Sequence, residues 1–394
     1  GKHSAVSGGI GSEKLSDIAS NIVVAVPLND DDVLTFDAGI SAYTSASSSN
    51  INPFDPSAVS GSTTSRIYGT PWQASSGASG SDQLTSLTVN YAHNSDDRNR
   101  IWNADVSFSN EYDYTSIGFG GGYTRLLEFG ENGNNFQNSS YFSGVTVFDQ
   151  NGAASNAYNP TAFSSYNKVN RNSYSASLSF SQILTKKIQL SVFFDVLKQE
   201  GLLATPYQRV YFADKANYYI GQSQFIPVYT SAQNTGVYQL ADDTERLPSS
   251  RFKIPIGVRL NYYINQYVVA RTYYRYYEDN WGIKANTASI ELPIKLSSSF
   301  TLYPMYRYYT QTASRYFAPY ETHLSTEQFY TSDYDLSDFS ANQYGAGFTY
   351  TDIFTRTKIY VLGLKSIDLR LNHYSRSDGL SANIVTFGFK FEVE

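Results

Sequence analysis

The chain has 394 residues, no cysteine, one methionine and 35 tyrosines, and its formal net charge is −6. The acidic balance argues against nucleic acid as a partner, and the lack of cysteine removes disulfide frameworks and thiolate metal sites. No stretch approaches the roughly 20 consecutive apolar residues of a membrane helix, but strands that alternate lipid-facing and lumen-facing side chains escape a scan for such stretches.

Successive side chains of a strand point to opposite faces. Read with that period, the sequence predicts strands over 13–28, 33–46, 82–95, 99–110, 113–125, 138–149, 171–184, 186–198, 252–265, 267–278, 284–295, 298–311, 341–352, 365–377 and 381–394. In the second, Leu34, Phe36, Ala38 and Ile40 alternate with Thr35, Asp37, Gly39 and Ser41. In the ninth, Phe252, Ile254, Ile256, Val258, Leu260 and Tyr262 alternate with Lys253, Pro255, Gly257, Arg259 and Asn261. In the last, Val385, Phe387, Phe389 and Phe391 alternate with Thr386, Gly388, Lys390 and Glu392. Such runs exceed the ~5–6 residues usual for soluble strands and match the ~9–11 of a tilted membrane strand.

The connections alternate as well. Asn29–Asp32, Thr185–Lys186 and Asn265–Gln266 are tight, whereas 47–81, 150–170, 199–251 and 312–340 are long and polar. Short turns on one side and long loops on the other mark a transmembrane antiparallel β-barrel of about 14–16 strands, with short periplasmic turns and long extracellular loops. The chain therefore reads as one barrel domain over residues 1–394. With the first turn periplasmic, strand 13–28 runs downward and requires an upward strand before it. Residues 1–12 are too short for a whole one, so the expectation is an N-terminal strand truncated or missing before residue 13 and a native barrel of about sixteen strands.

The segments YYRYYEDNWGI (from Tyr273) and YRYYTQTASRYFAPY (Tyr306–Tyr320), with YTSDYDLSDFSANQYG (Tyr330–Gly345), are distinctive. Through them, and through AVSGGIGSEKLSD (Ala5–Asp17), the chain resembles domain-of-unknown-function family 3570, an outer-membrane barrel family of Gram-negative bacteria. The resemblance implies a barrel in the outer membrane and supplies no catalytic residues to carry over.

Alternation turns Arg259, Arg271, Arg275, Asp279, Glu291 and Arg307 toward the lumen, joined by Arg370 and Arg376 from the strand over 365–377. Guanidinium groups stay charged and bind carboxylates and phosphates in a fork. They therefore either pair with Asp and Glu in a packed interior or form an anion-favouring wall. Asp333, Asp335 and Asp338 offer closely spaced oxygens for calcium, against the plainer reading of an Asx-rich turn. His3, His93, His323 and His373 lie far apart, with His93 and His373 on the lipid-facing phase, so neither an enzyme nor a cofactor is expected. The partners expected are the lipid bilayer and lipopolysaccharide, with other envelope proteins or lipoproteins. The leading expectation is a scaffold or subunit of a cell-envelope assembly, its lumen filled or capped by loops. The alternative is a porin-like channel for a small anionic solute.

Overall fold

The computed structural model describes residues 1–8, 13–46, 82–94, 101–110, 115–123, 127–133, 146–158, 171–204, 208–221, 223–228, 237–355 and 357–393. Sixteen strands form one antiparallel sheet. In chain order they are β1 (Lys2–Gly8), β2 (Glu13–Pro27), β3 (Asp32–Ala46), β4 (Asp82–Asn94), β5 (Ile101–Asn110), β6 (Thr115–Tyr123), β7 (Leu127–Gly133) and β8 (Arg171–Thr185). There follow β9 (Ile188–Gly201), β10 (Ser250–Tyr263), β11 (Val269–Asp279), β12 (Lys284–Glu291), β13 (Phe300–Gln311), β14 (Phe339–Thr351), β15 (Leu362–Arg376) and β16 (Ser381–Val393). Each strand pairs with the next, and β1 pairs with β16, so the sheet closes on itself as a barrel.

That closure fills the place of the strand expected before residue 13 and brings the ring to the expected sixteen strands. Lys2–Gly8 is a seven-residue strand, bonded to β2 from Lys2↔Ala19 to Gly8↔Glu13 and to β16 from Lys2↔Thr386 to Ser7↔Ser381. The ladder needs only backbone donors and acceptors. KHSAVSG satisfies it without the alternating apolar pattern that marks the other strands.

One correction concerns the predicted strand over 138–149. The seventh wall strand is Leu127–Gly133, and Phe148–Asp149 instead pairs with Tyr218–Tyr219 in a loop. Residues 138–145 lie outside those described. The run LEFGENG ends in polar and Gly residues, which blur the period-two signal.

The outer face is apolar around the ring. Phe36, Ile40, Val106, Phe108, Phe119, Leu178, Phe180, Ile256, Leu371 and Phe387 all stand exposed, and Phe389 is 56% exposed. Soluble monomers do not sustain an apolar belt of this extent, and in a bilayer it is the surface that contacts lipid. Tyrosines band its upper part, where Tyr274 donates to Asn286 Oδ1 at 2.7 Å and Tyr306 to Asn342 Oδ1 at 2.7 Å. Tyr91, Trp102, Tyr262 and Tyr267 stand exposed near the tight turns. The amphipathic rings thus mark two interfaces.

Most fully buried apolar side chains lie above the wall, where the loops over 202–249 and 312–338 interlock. Arg246 and Tyr330 exchange backbone bonds of 3.0 and 2.8 Å, and Ala213 N–H donates to His323 O at 2.8 Å. Val210, Phe212 and Tyr330 form one core. Ala204, Leu247 and Trp281 form another, with Tyr316 and Leu336 packed on it. A third, Ile220 with Leu240, sits under Val147 and Tyr158 from the loop before β8. Burial pushes the Tyr158 and Tyr320 phenols up, keeping both as neutral donors: Tyr158 donates to Ala241 O at 2.5 Å and Tyr320 to Gln239 and Glu321. The described parts of the loops over 202–249 and 312–338 therefore form a folded cap.

Candidate functional site

Beneath the cap, β10 to β15 present a basic, tyrosine-rich wall to the lumen. Strand register sets its side chains in rows. One row runs Arg259, Tyr273, Ser289, Arg307, Gln343, Tyr374. The row above it, nearer the cap, runs Gly257, Arg275, Thr287, Tyr309, Ala341, Arg376. The row below holds Arg271 beside Glu291.

The predicted inward residues divide into four groups. Glu291 is shared: Arg271 donates to its Oε1 at 3.1 Å and Arg370 to its Oε2 at 3.0 Å, and Arg370 also lies 5.2 Å from the centre of the Tyr303 ring. Asp279 sits at the rim rather than in the open lumen. Its buried carboxylate accepts from Arg251 at 2.5 and 2.9 Å, from Tyr277 at 2.8 Å, and from the Trp281 and Ile283 amides at 3.0 Å each. It thereby fixes the turn that carries Trp281.

The third group has no carboxylate partner among the described residues. Arg259 lies over the Tyr273 ring at 5.8 Å, Arg307 lines the lumen, and the Nε of Arg275 is buried without a hydrogen bond. Phe193 stacks on Tyr273 at 5.7 Å and fills the space over Gly257, where a Cβ would collide with its ring.

Arg376, 7% exposed, is where the cap meets this wall. It donates to Asp335 Oδ1 at 2.5 Å and Tyr334 O at 3.0 Å, and it pairs with Asp378 at 2.7 Å. The Gln311 amide donates to Asp335 O at 3.0 Å and to Ser337 O at 2.6 Å. Asp333 accepts from the Asp335 amide at 2.9 Å, as an Asx turn does. Asp338 stands exposed, so the three carboxylates expected for calcium do not converge. No group of three metal-ligating side chains occurs among the described residues. Below this docked turn is a cavity of about 400 Å3, lined by Arg307, Tyr309, Asp335, Phe339, Ala341, Gln343, Tyr374 and Arg376.

The facing half of the barrel is different. Apart from Tyr43 and Leu84, inward positions on β2 to β6 are mostly short, among them Asp17, Asn21, Thr35, Asp37, Gly39, Ser41, Ser86, Thr88, Asn103, Asp105, Ser107, Ser116 and Gly118. Gly120 makes room for Asp105, since a Cβ there would strike that carboxylate.

Both histidine–carboxylate pairs lie away from the lumen. His93 Nδ1 is 2.7 Å from Asp32 Oδ1 at the outer face near the tight turns. His323 is buried in the cap, with Nδ1 2.7 Å from Glu327 Oε2 and Nε2 2.9 Å from Thr331 O. Arg251 and the cap partners of Tyr330 were not visible as site residues in the sequence, because each acts through a neighbour that only the folded loops supply.

A family model described as "Protein of unknown function (DUF3570)" matches residues 16–382. The chain belongs to the DUF3570 family. No curated protein matches this DUF3570 barrel. Among solved structures it is similar to outer-membrane expressed OmpT of Vibrio cholerae, at 10% identity and TM-score 0.35, over 78% of this chain and 89% of that one. It is likewise similar to a bacterial polysaccharide outer membrane secretin, at 9% identity and TM-score 0.39, over 99% and 98%. A mutant ferric enterobactin receptor of Pseudomonas aeruginosa matches at 8% identity and TM-score 0.40, over 95% of this chain and 53% of the receptor. The barrel architecture rests on the strand register itself.

Proposed function

We propose that this DUF3570 barrel is a water-filled channel of the bacterial outer membrane, through which small charged solutes diffuse under a fixed cap. The observation that carries the reading is the set Arg259, Arg275 and Arg307. A charge away from water needs a partner, and these three have no carboxylate partner among the described residues, so water is what solvates the exposed Arg259 and Arg307 and the outer part of Arg275. Ring size agrees: barrels of about 16 strands are wide enough for an aqueous path. The short side chains on β2 to β6 leave that path unfilled. Lipid and lipopolysaccharide are the partners of the outer belt, and the positions of both histidine pairs outside the lumen support a role other than catalysis.

Purified protein in planar bilayers tests this. Discrete, ohmic openings are expected. A preparation that is folded and inserted yet never conducts would defeat the reading.

The cap favours a second reading, a scaffold within an envelope assembly. It is built like a small domain and exposes Tyr320 and Leu324 to the exterior. A partner lipoprotein or envelope protein that copurifies in mild detergent, and is lost when both residues are replaced by serine, would support it. A lone barrel under those conditions would count against it.

A further inference from the structure

We infer that the lumen carries opposite charge on opposite walls, and that the channel therefore favours solutes bearing separated positive and negative charges over singly charged or neutral ones. The inference rests on the channel reading above and names its solute class.

Ring order supplies the geometry. In a closed ring of sixteen strands, each strand faces the one eight places away. Thus β2 faces β10, β3 faces β11, and β5 faces β13. The inward charges on the first members are Asp17, Asp37 and Asp105; on the second they are Lys253, Arg259, Arg271, Arg275 and Arg307, with Arg251 and Asp279 paired to each other at the rim. Among the described inward side chains of β2 to β6 there is no lysine or arginine. Asp17 accepts a hydrogen bond from the neutral Ser41 hydroxyl at 2.6 Å. Asp105 has the space above Gly120, and Asp37 stands between Val23 and Thr88. The acidic wall is thus left unneutralised by its own strands, as is the part of the basic wall formed by Arg259, Arg275 and Arg307.

Fixed charges lining a low-dielectric wall focus field across the gap. A cation is attracted to one side and repelled from the other, and an anion the reverse. A zwitterion that turns its ammonium to Asp37 and Asp105 and its carboxylate to Arg275 and Arg307 gains at both. Screening over about 8 Å at physiological salt makes this preference strongest at low ionic strength.

Liposome swelling with the intact protein tests the solute class. At low salt, 4-aminobutyrate is expected to enter faster than a neutral amide of equal size, on the order of threefold given charges acting through water. The preference should shrink as salt is raised. Asp37→Asn with Asp105→Asn should abolish it and move the zero-current potential in a potassium chloride gradient toward chloride. Equal entry of the two solutes through a wild-type channel that conducts would overturn the inference while leaving the channel reading intact. So would a folded double variant with unchanged selectivity. Absence of conductance and swelling together would remove the channel reading, and the inference with it. The wild-type solute comparison decides the matter even if the double variant does not fold.

Discussion

The cap and the wall are stabilised by different physics. The wall has its apolar side chains outside, so in water its burial term is nearly absent, and its cohesion comes from a closed ladder of backbone bonds in a medium that offers no competing donors. The cap has an interior of the ordinary kind. Trp281 and Tyr330 are each 2% exposed, and the carboxylates of Asp243, Glu245 and Glu321 are taken up by Tyr330, Thr331 and Tyr320. The loops of a barrel can thus be its most protein-like part and can fail independently of the strands beneath them.

The largest expected effect follows from Trp281→Ala. Trp281 stacks edge-on to Tyr316 at 6.0 Å, lies under the Arg251 guanidinium at 4.4 Å and donates to Ser250 O at 3.1 Å. Its loss should cost the cap about 3–5 kcal/mol. Limited proteolysis should then cut within 202–249 and 312–338, while the barrel keeps its folded mobility on unheated gels. Joint loss of both would erase the distinction between the regions.

The converse change is Phe389→Arg on the lipid face of β16. A cation on the lipid face of a barrel costs up to about 2–4 kcal/mol, most at the bilayer midplane and less toward the interfaces. Folding into vesicles should weaken accordingly, with the protease resistance of the cap unchanged in the molecules that insert.

Smaller is the effect of Glu291→Gln, which leaves Arg271 and Arg370 without their shared carboxylate. Partly exposed pairs contribute about 0–1 kcal/mol, so thermal stability should barely move. The zero-current potential should shift toward chloride, because Arg271 then faces the lumen unpaired and Arg370 keeps only the longer 3.9 Å pair with Asp368.

Acidification acts on the cap alone. Burial raises the Asp242 carboxyl to about 6 and pushes Asp243 and Asp333 up as well. For a group raised in the folded state, the stabilising contribution is complete below its ordinary value, 3.8 for Asp242, and is lost as pH rises through about 6. Protection of the amides over 202–249 and 312–338, taken relative to their intrinsic exchange rates at each pH, should therefore rise between pH 7 and pH 5, with that of the wall strands unchanged. Hydrogen bonds hold Asp214 down, chiefly from the Ser325 amide and hydroxyl. Glu327 is held down, against its partial burial, by the Leu324 amide and His323. These two reverse the trend only in stronger acid.

The same comparison explains what could be read beforehand. Phe252 to Tyr262 announced a strand because one face meets lipid along its whole length, and β10 spans Ser250–Tyr263. The inward phase of Arg259, Arg275 and Arg307 followed from that alternation. The cap left no such trace: Tyr330 meets Asp243 across 87 positions, and no local period encodes such a contact. Lys2–Gly8 was missed for a related reason, since its role lies in backbone bonds on both sides. The acidic wall was half legible, because alternation turned Asp37 and Asp105 inward but only ring order sets them across from arginines.

The pairing of β1 with β16 has a consequence for how the molecule is made. The circle cannot close before Ser381–Val393 has been synthesised, since the partner of the first strand is the last. Until β16 is in place the sheet has two free edges, and the seam-side donors and acceptors of Lys2–Gly8 remain unpaired while its other side pairs with β2. Closure is therefore a single late event between the most distant parts of the chain. Its rate is set by loop-closure entropy and by whatever machinery shields those edges meanwhile.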